Sequence, residues 1–267
     1  MIIDSHAHVV LPPERQIQWM DEAGIDQTVL FSTTIHPETA TTLQAFETEL
    51  NILYDILNGV KNPVPERIRA IEELAGVIQA NPERYIGFGP IPIGLSYSES
   101  LEWIERYIIA NKFRGIGELT PGTGQVEKLE VLFRAAQEFD NLPLWVHTFF
   151  PLNGSDIKTL LTLAKRYPQV PTILGHMGGM YWLDTLKAVK EIPNAFLDLS
   201  ATNTTVAPSF AIRELPERTF FSSDAPYASP SIAKMIIEKL VADRYVLDQV
   251  LGENIARLLH IEKSAMK

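Results

Sequence analysis

Eight short apolar runs recur along the chain, at residues 2–7, 27–32, 85–91, 114–119, 144–148, 172–177, 195–200 and 219–223. Each is almost continuously hydrophobic and rich in β-favouring residues, the pattern of parallel strands covered on both faces. Between them the apolar positions change to a helical period. Residues 127–139 carry Leu129, Leu132, Phe133 and Ala136 at i, i+3, i+4 and i+7, and residues 155–166 repeat the spacing with Ile157, Leu160, Leu161 and Ala164. Further helical patterns cover about 12–23, 97–110, 180–191, 230–241 and 245–260. Ser96 with Glu99 has the form of a capping box, and Ser155 or Asp156 is expected to cap the helix that follows it.

Eight strand-helix units in this length predict an α/β fold, a (β/α)8 TIM barrel, as a single domain over residues 1–267, because no Pro/Gly-rich linker or change of composition divides the chain. The stretch 33–84 departs from the rhythm. It places two helical patterns, 38–59 and 66–80, between the second and third strands, separated by Asn62-Pro63-Val64-Pro65. An insertion after a strand lies at the carboxyl face of a barrel, so 33–84 is a candidate lid, with a merely structural helix pair as the alternative. An open doubly wound sheet is the rival architecture, but the Gly-rich loop expected after its first strand is missing.

Composition narrows the chemistry. No apolar run reaches the roughly 18 residues of a membrane span, and the opening Met-Ile-Ile-Asp has no basic region leading into an apolar stretch. A cytoplasmic protein with no membrane partner is expected. The formal net charge of −10 argues against a nucleic-acid partner, which calls for clustered Lys and Arg. A small-molecule substrate is the expected partner, and a homo-oligomer is allowed. With no cysteine, any metal site must use His, Asp or Glu.

Where a nucleotide-binding loop would begin, the first strand instead reads IDSHAH. Alternate residues of a strand share a face, so His6 and His8 point together. Glu118 ends the fourth run, His147 the fifth and His176 the sixth, and Asp224 follows the eighth. In a barrel these strand ends meet at the face that carries active sites. A single buried histidine is more often a satisfied core residue, but four of six histidines falling at strand ends points to a metal centre. His36, in the loop after the second strand, is a candidate substrate contact, and His260, closing the last helix, is expected at the surface. Imidazole and carboxylate donors suit zinc, with Mn, Fe or Ni as other choices, in one or two ions. A metal brings the pKa of bound water towards ~7, and a neighbouring carboxylate, Asp224, accepts the proton. Asp4 shares strand parity with the histidines and either orients one of them or is a plain buried carboxylate. Phe149, Trp182, Asn203 and Tyr227 follow strands five to eight as candidate pocket lining.

Together these segments resemble the amidohydrolase superfamily, in its amidohydrolase-2 branch: the opening His-x-His, the strand-five His147, the GHMGG turn with His176, SSDAP with Asp224, and the closing VLGENIARLL helix. The resemblance spans the chain. It implies a distorted barrel and metal-dependent hydrolysis of C–N or C–O bonds, with some members decarboxylating instead. It also implies that His6, His8 and Asp224 hold the more buried metal and that His147 is a ligand. His176, with Asp224 the second catalytic candidate, would either hold a second metal or hydrogen-bond the substrate carbonyl. Many two-metal members bridge the ions with a carbamylated lysine on strand four; here that place is taken by Glu118, which leaves both one-metal and two-metal sites open. Other classes fit less well. A histidinol-phosphatase-like enzyme needs a late Asp-x-His that the last 100 residues lack, and a TatD-like nuclease is weakened by the acidity of the chain. A non-catalytic metal-binding barrel remains as the reading outside catalysis.

Overall fold

A computed structural model describes residues 1–58, 64–202 and 204–261. Parallel strands β1 (Ile3–His8), β2 (Gln27–Phe31), β3 (Tyr85–Gly89), β4 (Gly115–Leu119), β5 (Leu144–His147), β6 (Thr172–Gly175), β7 (Ala195–Asp198) and β8 (Thr219–Phe220) form one sheet in sequential order. The sheet closes on itself through backbone hydrogen bonds from Ser5 to Phe221 (2.9 Å), Asp224 to His6 (2.7 Å) and His8 to Ala225 (2.7 Å). This is the predicted (β/α)8 barrel. The eighth strand is shorter than the apolar run suggested, because beyond Phe220 the chain pairs through these single bonds rather than a ladder.

The connecting helices are α1 (Pro13–Ala23), α2 (Leu43–Leu57), α3 (Val64–Ala80), α4 (Tyr97–Trp103), α5 (Glu130–Gln137), α6 (Gly154–Arg166), α7 (Trp182–Lys190), α8 (Val206–Glu214), α9 (Pro230–Leu240), α10 (Arg244–Asp248) and α11 (Asn254–Leu258). Ser96 and Glu99 make the predicted capping box. The cap of α6 is Asn153, not Ser155 or Asp156; Asn153 accepts from both of their N–H groups, and Asp156 returns the bond to Asn153. Helix α8 escapes a periodicity search because it is short and contains Pro208, which is tolerated in the first turn, where no intrahelical N–H bond is required. Of the Asn-Pro-Val-Pro break, Val64 and Pro65 open α3, while Asn62 and Pro63 lie outside the described residues. Among the described residues no helix is long and apolar enough to cross a membrane.

Two apolar layers result. The outer one lies between strands and helices; the inner one fills the barrel with Phe31, Phe88, Trp145, Ile173 and Phe220, floored by Ile255 of α11 and by Leu259 just after it. Aromatic bulk fits because glycines face it: a Cβ on Gly115 would come within 2.2 Å of the Phe88 ring. Ile3 belongs to this inner layer, yet His6, three residues on, also packs on Phe31 and Trp145. A regular strand cannot place positions of opposite parity on one face. The register between β1 and β2 shifts between Asp4 and Ala7, and this irregularity turns His6 and His8 inward.

Candidate functional site

The strand ends bring six donors together. His6 Nε2 lies 3.8 Å from Asp224 Oδ1 and 3.9 Å from Glu118 Oε2; His8 Nε2 lies 3.4 Å and 3.9 Å from the same two oxygens. On the other side, Glu118 Oε1 lies 3.1 Å from His147 Nδ1 and 3.4 Å from His176 Nε2. Glu118 thus turns one oxygen to each pair of histidines. Gly175 keeps this space open, since a Cβ there would stand 3.2 Å from Glu118 Oε1.

Each imidazole has one nitrogen held on its outer side and the other aimed inward. His6 Nδ1 meets Asp198 Oδ2 at 2.6 Å, His8 Nδ1 the Ser32 carbonyl at 3.5 Å, His147 Nε2 the Phe150 carbonyl at 2.9 Å, and His176 Nδ1 the Ser200 hydroxyl at 2.8 Å. A carboxylate or carbonyl only accepts, so His6 and His147 donate outward, which leaves their inward nitrogens to hold either a second proton or a metal. The inward atoms include His6 Nε2 and Asp224 Oδ1, both buried and without a hydrogen-bond partner. His147 Nδ1 lies 3.1 Å from both Glu118 Oε1 and His176 Nε2 while its Nε2 donates elsewhere, so its inward side is met by a ring proton or by a cation. The donor set therefore fits a divalent cation. His6, His8 and Asp224 form one group of convergent ligand atoms, and His6, Glu118 and His176 form another.

The electrostatics agree with this fit. Burial alone would lower the pKa of His6, but Asp198, Glu118 and Asp224 around it outweigh that and raise it. Burial would raise Glu118, yet His147 and His6 hold it well below the carboxylate range; Asp198 is likewise held low by His6. Several buried carboxylates around one point favour positive charge there, supplied by protons or by a metal that displaces them.

Two bends aim the outer donors. His176 and Asp224 both adopt left-handed backbone, with φ of 62° at each, so the chain turns sharply where β6 and β8 end. After His176, Gly178 (φ 87°) lies against Thr185, where a Cβ would come within 2.1 Å of the hydroxyl. Thr148 ties the end of β5 to this turn, donating to the Gly175 carbonyl and accepting from Gly178 N–H.

Asp4 does not orient a histidine. It accepts from Ser223 N–H (2.8 Å), Ser223 Oγ (2.5 Å) and His6 N–H, and so clamps β1 to the β8 end. The register shift separates its direction from that of the histidines, and burial raises its pKa to about 6. The orienting acid is Asp198 at the end of β7, which also accepts from Trp145 Nε1 and Ser200 N–H. An acid closing the apolar run AFLD was the available signal, the same one that marks Glu118.

Above the donors opens a cavity of about 750 Å³, reached by His8, Glu118, His147, His176 and Asp224. Phe149 and Tyr227 line it as expected; Trp182 lines a smaller neighbouring hollow, and Asn203 lies outside the described residues. Helices α2 and α3 from the 33–84 segment supply one wall through Ile52, Leu53, Ile56, Leu57, Arg67 and Ala70. His36 is not on the cavity wall. It bridges Glu38 (3.2 Å) and Glu73 (3.3 Å), and Glu73 raises its pKa. His260 is exposed, as expected.

The family model for amidohydrolases matches residues 3–261. Comparison with curated proteins returns no match. Solved structures share the fold, among them the following three. A 2,6-dihydroxybenzoate decarboxylase from Rhizobium is 15% identical, with TM-score 0.70 over 98% of this chain and 99% of that one. A 5-carboxyvanillate decarboxylase from Sphingomonas paucimobilis is 17% identical, with TM-score 0.69 over 98% and 99%. A dihydroxybenzoic acid decarboxylase from a Polaromonas species, with bound manganese and the inhibitor 2-nitroresorcinol, is 18% identical, with TM-score 0.72 over 98% and 98%.

Proposed function

This chain belongs to the amidohydrolase family, and on that premise we propose that it is a metal-dependent hydrolase cleaving a C–N or C–O bond of a small molecule, with two divalent cations sharing Glu118. What carries the reading is the division of the Glu118 carboxylate, one oxygen towards His6 and His8, the other towards His147 and His176. His6, His8 and Asp224 would hold one ion, His147 and His176 the other. When bound, a divalent cation supplies Lewis acidity, polarising a carbonyl and acidifying water. Asp224, with Oδ1 facing His6 and His8, takes the proton of the attacking water and returns it to the leaving group. Asp198 and Ser200 keep the His6 and His176 rings aimed. The 33–84 segment acts as the lid, its helices screening the cavity from bulk water.

A second reading, non-oxidative decarboxylation, is favoured by the solved structures of like fold, which include decarboxylases and one with bound manganese. It uses the same donors on a carboxylated aromatic. Elemental analysis followed by a panel of lactones, amides and carboxylated aromatics separates the two. Hydrolysis without carbon dioxide release supports the first, release without water addition the second. Asp224→Asn should cost about 10² or more in kcat while metal is retained. Turnover that survives both chelation and this substitution would overturn both readings.

A further inference from the structure

The strand that delivers Asp224 is the shortest of the barrel, and past Phe220 the chain is held by single hydrogen bonds. Asp224 nonetheless keeps a left-handed backbone, with φ of 62°. The comparable turn after β6 has Gly178 and Gly179 to relieve it, whereas SSDAP contains no glycine. At a residue with a Cβ such a conformation persists only where the surroundings enforce it. Here they answer to Asp4, which lies 219 residues before Ser223. Asp4 Oδ1 accepts from Ser223 N–H at 2.8 Å and Oδ2 from Ser223 Oγ at 2.5 Å, while the same hydroxyl oxygen accepts from Ala225 N–H at 3.1 Å. Both residues flanking Asp224 are thus tied to one buried carboxylate. Asp224 N–H also donates to the His6 carbonyl, and His8 N–H to the Ala225 carbonyl, each at 2.7 Å. Because Asp4 Oδ1 accepts from His6 N–H as well (3.3 Å), one side chain fixes the backbone on both sides of the gap between His6 Nε2 and Asp224 Oδ1.

We propose that Asp4 and Ser223 are positioning residues for Asp224: they hold its backbone left-handed, so that its carboxylate faces His6 and His8 and the three ligand atoms keep the spacing a cation needs. This rests on the metal-dependent reading for the cation only. Asp4 bonds to backbone N–H groups and to the Ser223 hydroxyl, and acts on Asp224 through Ser223. Released from the clamp, Asp224 returns to an ordinary negative φ, which swings its carboxylate away from the histidines. All three ligands are then still present, but their spacing is lost. Metal affinity falls for want of geometry rather than of donors, and the proton acceptor is misaimed with it.

Competition for Mn²⁺ against a fluorescent chelator tests this through a double-mutant cycle. Ser223→Ala removes the hydroxyl and should weaken metal binding about tenfold. In an Asp224→Ala background the same substitution should cost less than about twofold, because the residue it positions is gone. Asp4→Ala should lose at least as much affinity as Ser223→Ala. Asp4→Asn, whose amide still accepts from Ser223 N–H and can donate to its hydroxyl, should restore most of it. Circular dichroism shows whether each variant folds, and Ser223→Ala decides the matter if Asp4→Ala does not. Native affinity in Ser223→Ala, or an equal loss with and without Asp224, would overturn the proposal. Crystals of the metal-free proteins keep the two readings apart. Asp224 should hold its left-handed φ in the native protein and leave it in Ser223→Ala, and an unchanged φ in the variant would also overturn the clamp. A native protein that binds no Mn²⁺ would count against the metal centre, whereas the crystals would still decide the role of Asp4 and Ser223.

Discussion

The His6 ring depends on a buried acid, and replacing that acid with its amide tests how the centre is aimed. Asp198 Oδ2 accepts from both His6 Nδ1 (2.6 Å) and Trp145 Nε1 (3.2 Å), and Oδ1 accepts from Ser200 N–H (2.7 Å). Asp198→Asn keeps the shape but turns one of these acceptors into an NH₂. In one orientation that group opposes two ring N–H donors; in the other it opposes Ser200. At least one buried donor is orphaned either way, at about 1–3 kcal/mol, and the surviving bonds lose their charge, so the metal-free protein should lose about 2–4 kcal/mol of stability. A second effect concerns the metal alone. Without the carboxylate, nothing obliges the His6 proton to stay on Nδ1, and a proton on Nε2 blocks the inward lone pair. Affinity for Mn²⁺ or Zn²⁺ should fall about 10- to 100-fold. Thermal unfolding in EDTA reads the first effect, and competition against a fluorescent chelator on the folded variant reads the second. A variant that melts earlier yet binds metal within about twofold of the native protein would refute the tautomer argument and leave Asp198 a packing residue.

Other expectations follow from particular contacts. Glu118→Gln should lower bound metal from two ions per chain to one, measured by elemental analysis, because Glu118 alone faces both histidine pairs; unchanged stoichiometry would contradict the shared carboxylate. Gly178→Ala should cost about 2–4 kcal/mol, from left-handed backbone and a Cβ pressed on Thr185, and chemical denaturation showing less than 1 kcal/mol would mean the turn relaxes. His36→Gln tests the bridge between Glu38 and α3. The Glu73 carboxylate, 3.3 Å from Nε2, raises the His36 pKa above 6.5 against the opposing effect of burial, so the folded state binds this proton more tightly than the unfolded chain. The stabilisation is complete below pH 6.5 and is lost as pH rises through the higher folded value. The difference in Tm between native and variant should therefore shrink with rising pH, and a difference that grows would be the wrong sign.

What could be read from residue order was whatever depends on neighbours along the chain. Each strand is announced by a short apolar run, and an acid or histidine closing such a run lands at the carboxyl face whatever the rest of the barrel does. Glu118, His147, His176 and Asp224 were legible for that reason, and His6 with His8 through strand parity. Parity then failed for Asp4, because the register shift that turns the histidines inward comes from pairing β1 with β2 and has no local signature. Asp198 carried the same strand-end signal as Glu118, but its partners, His6 and Trp145, lie 192 and 53 residues away, and only closure of the barrel brings them within bonding distance. Arg67 sits in a helical pattern that could have packed on either side. Its place on the cavity wall follows from how α2 and α3 lie across the strand ends, a matter of long-range packing to which periodicity is blind.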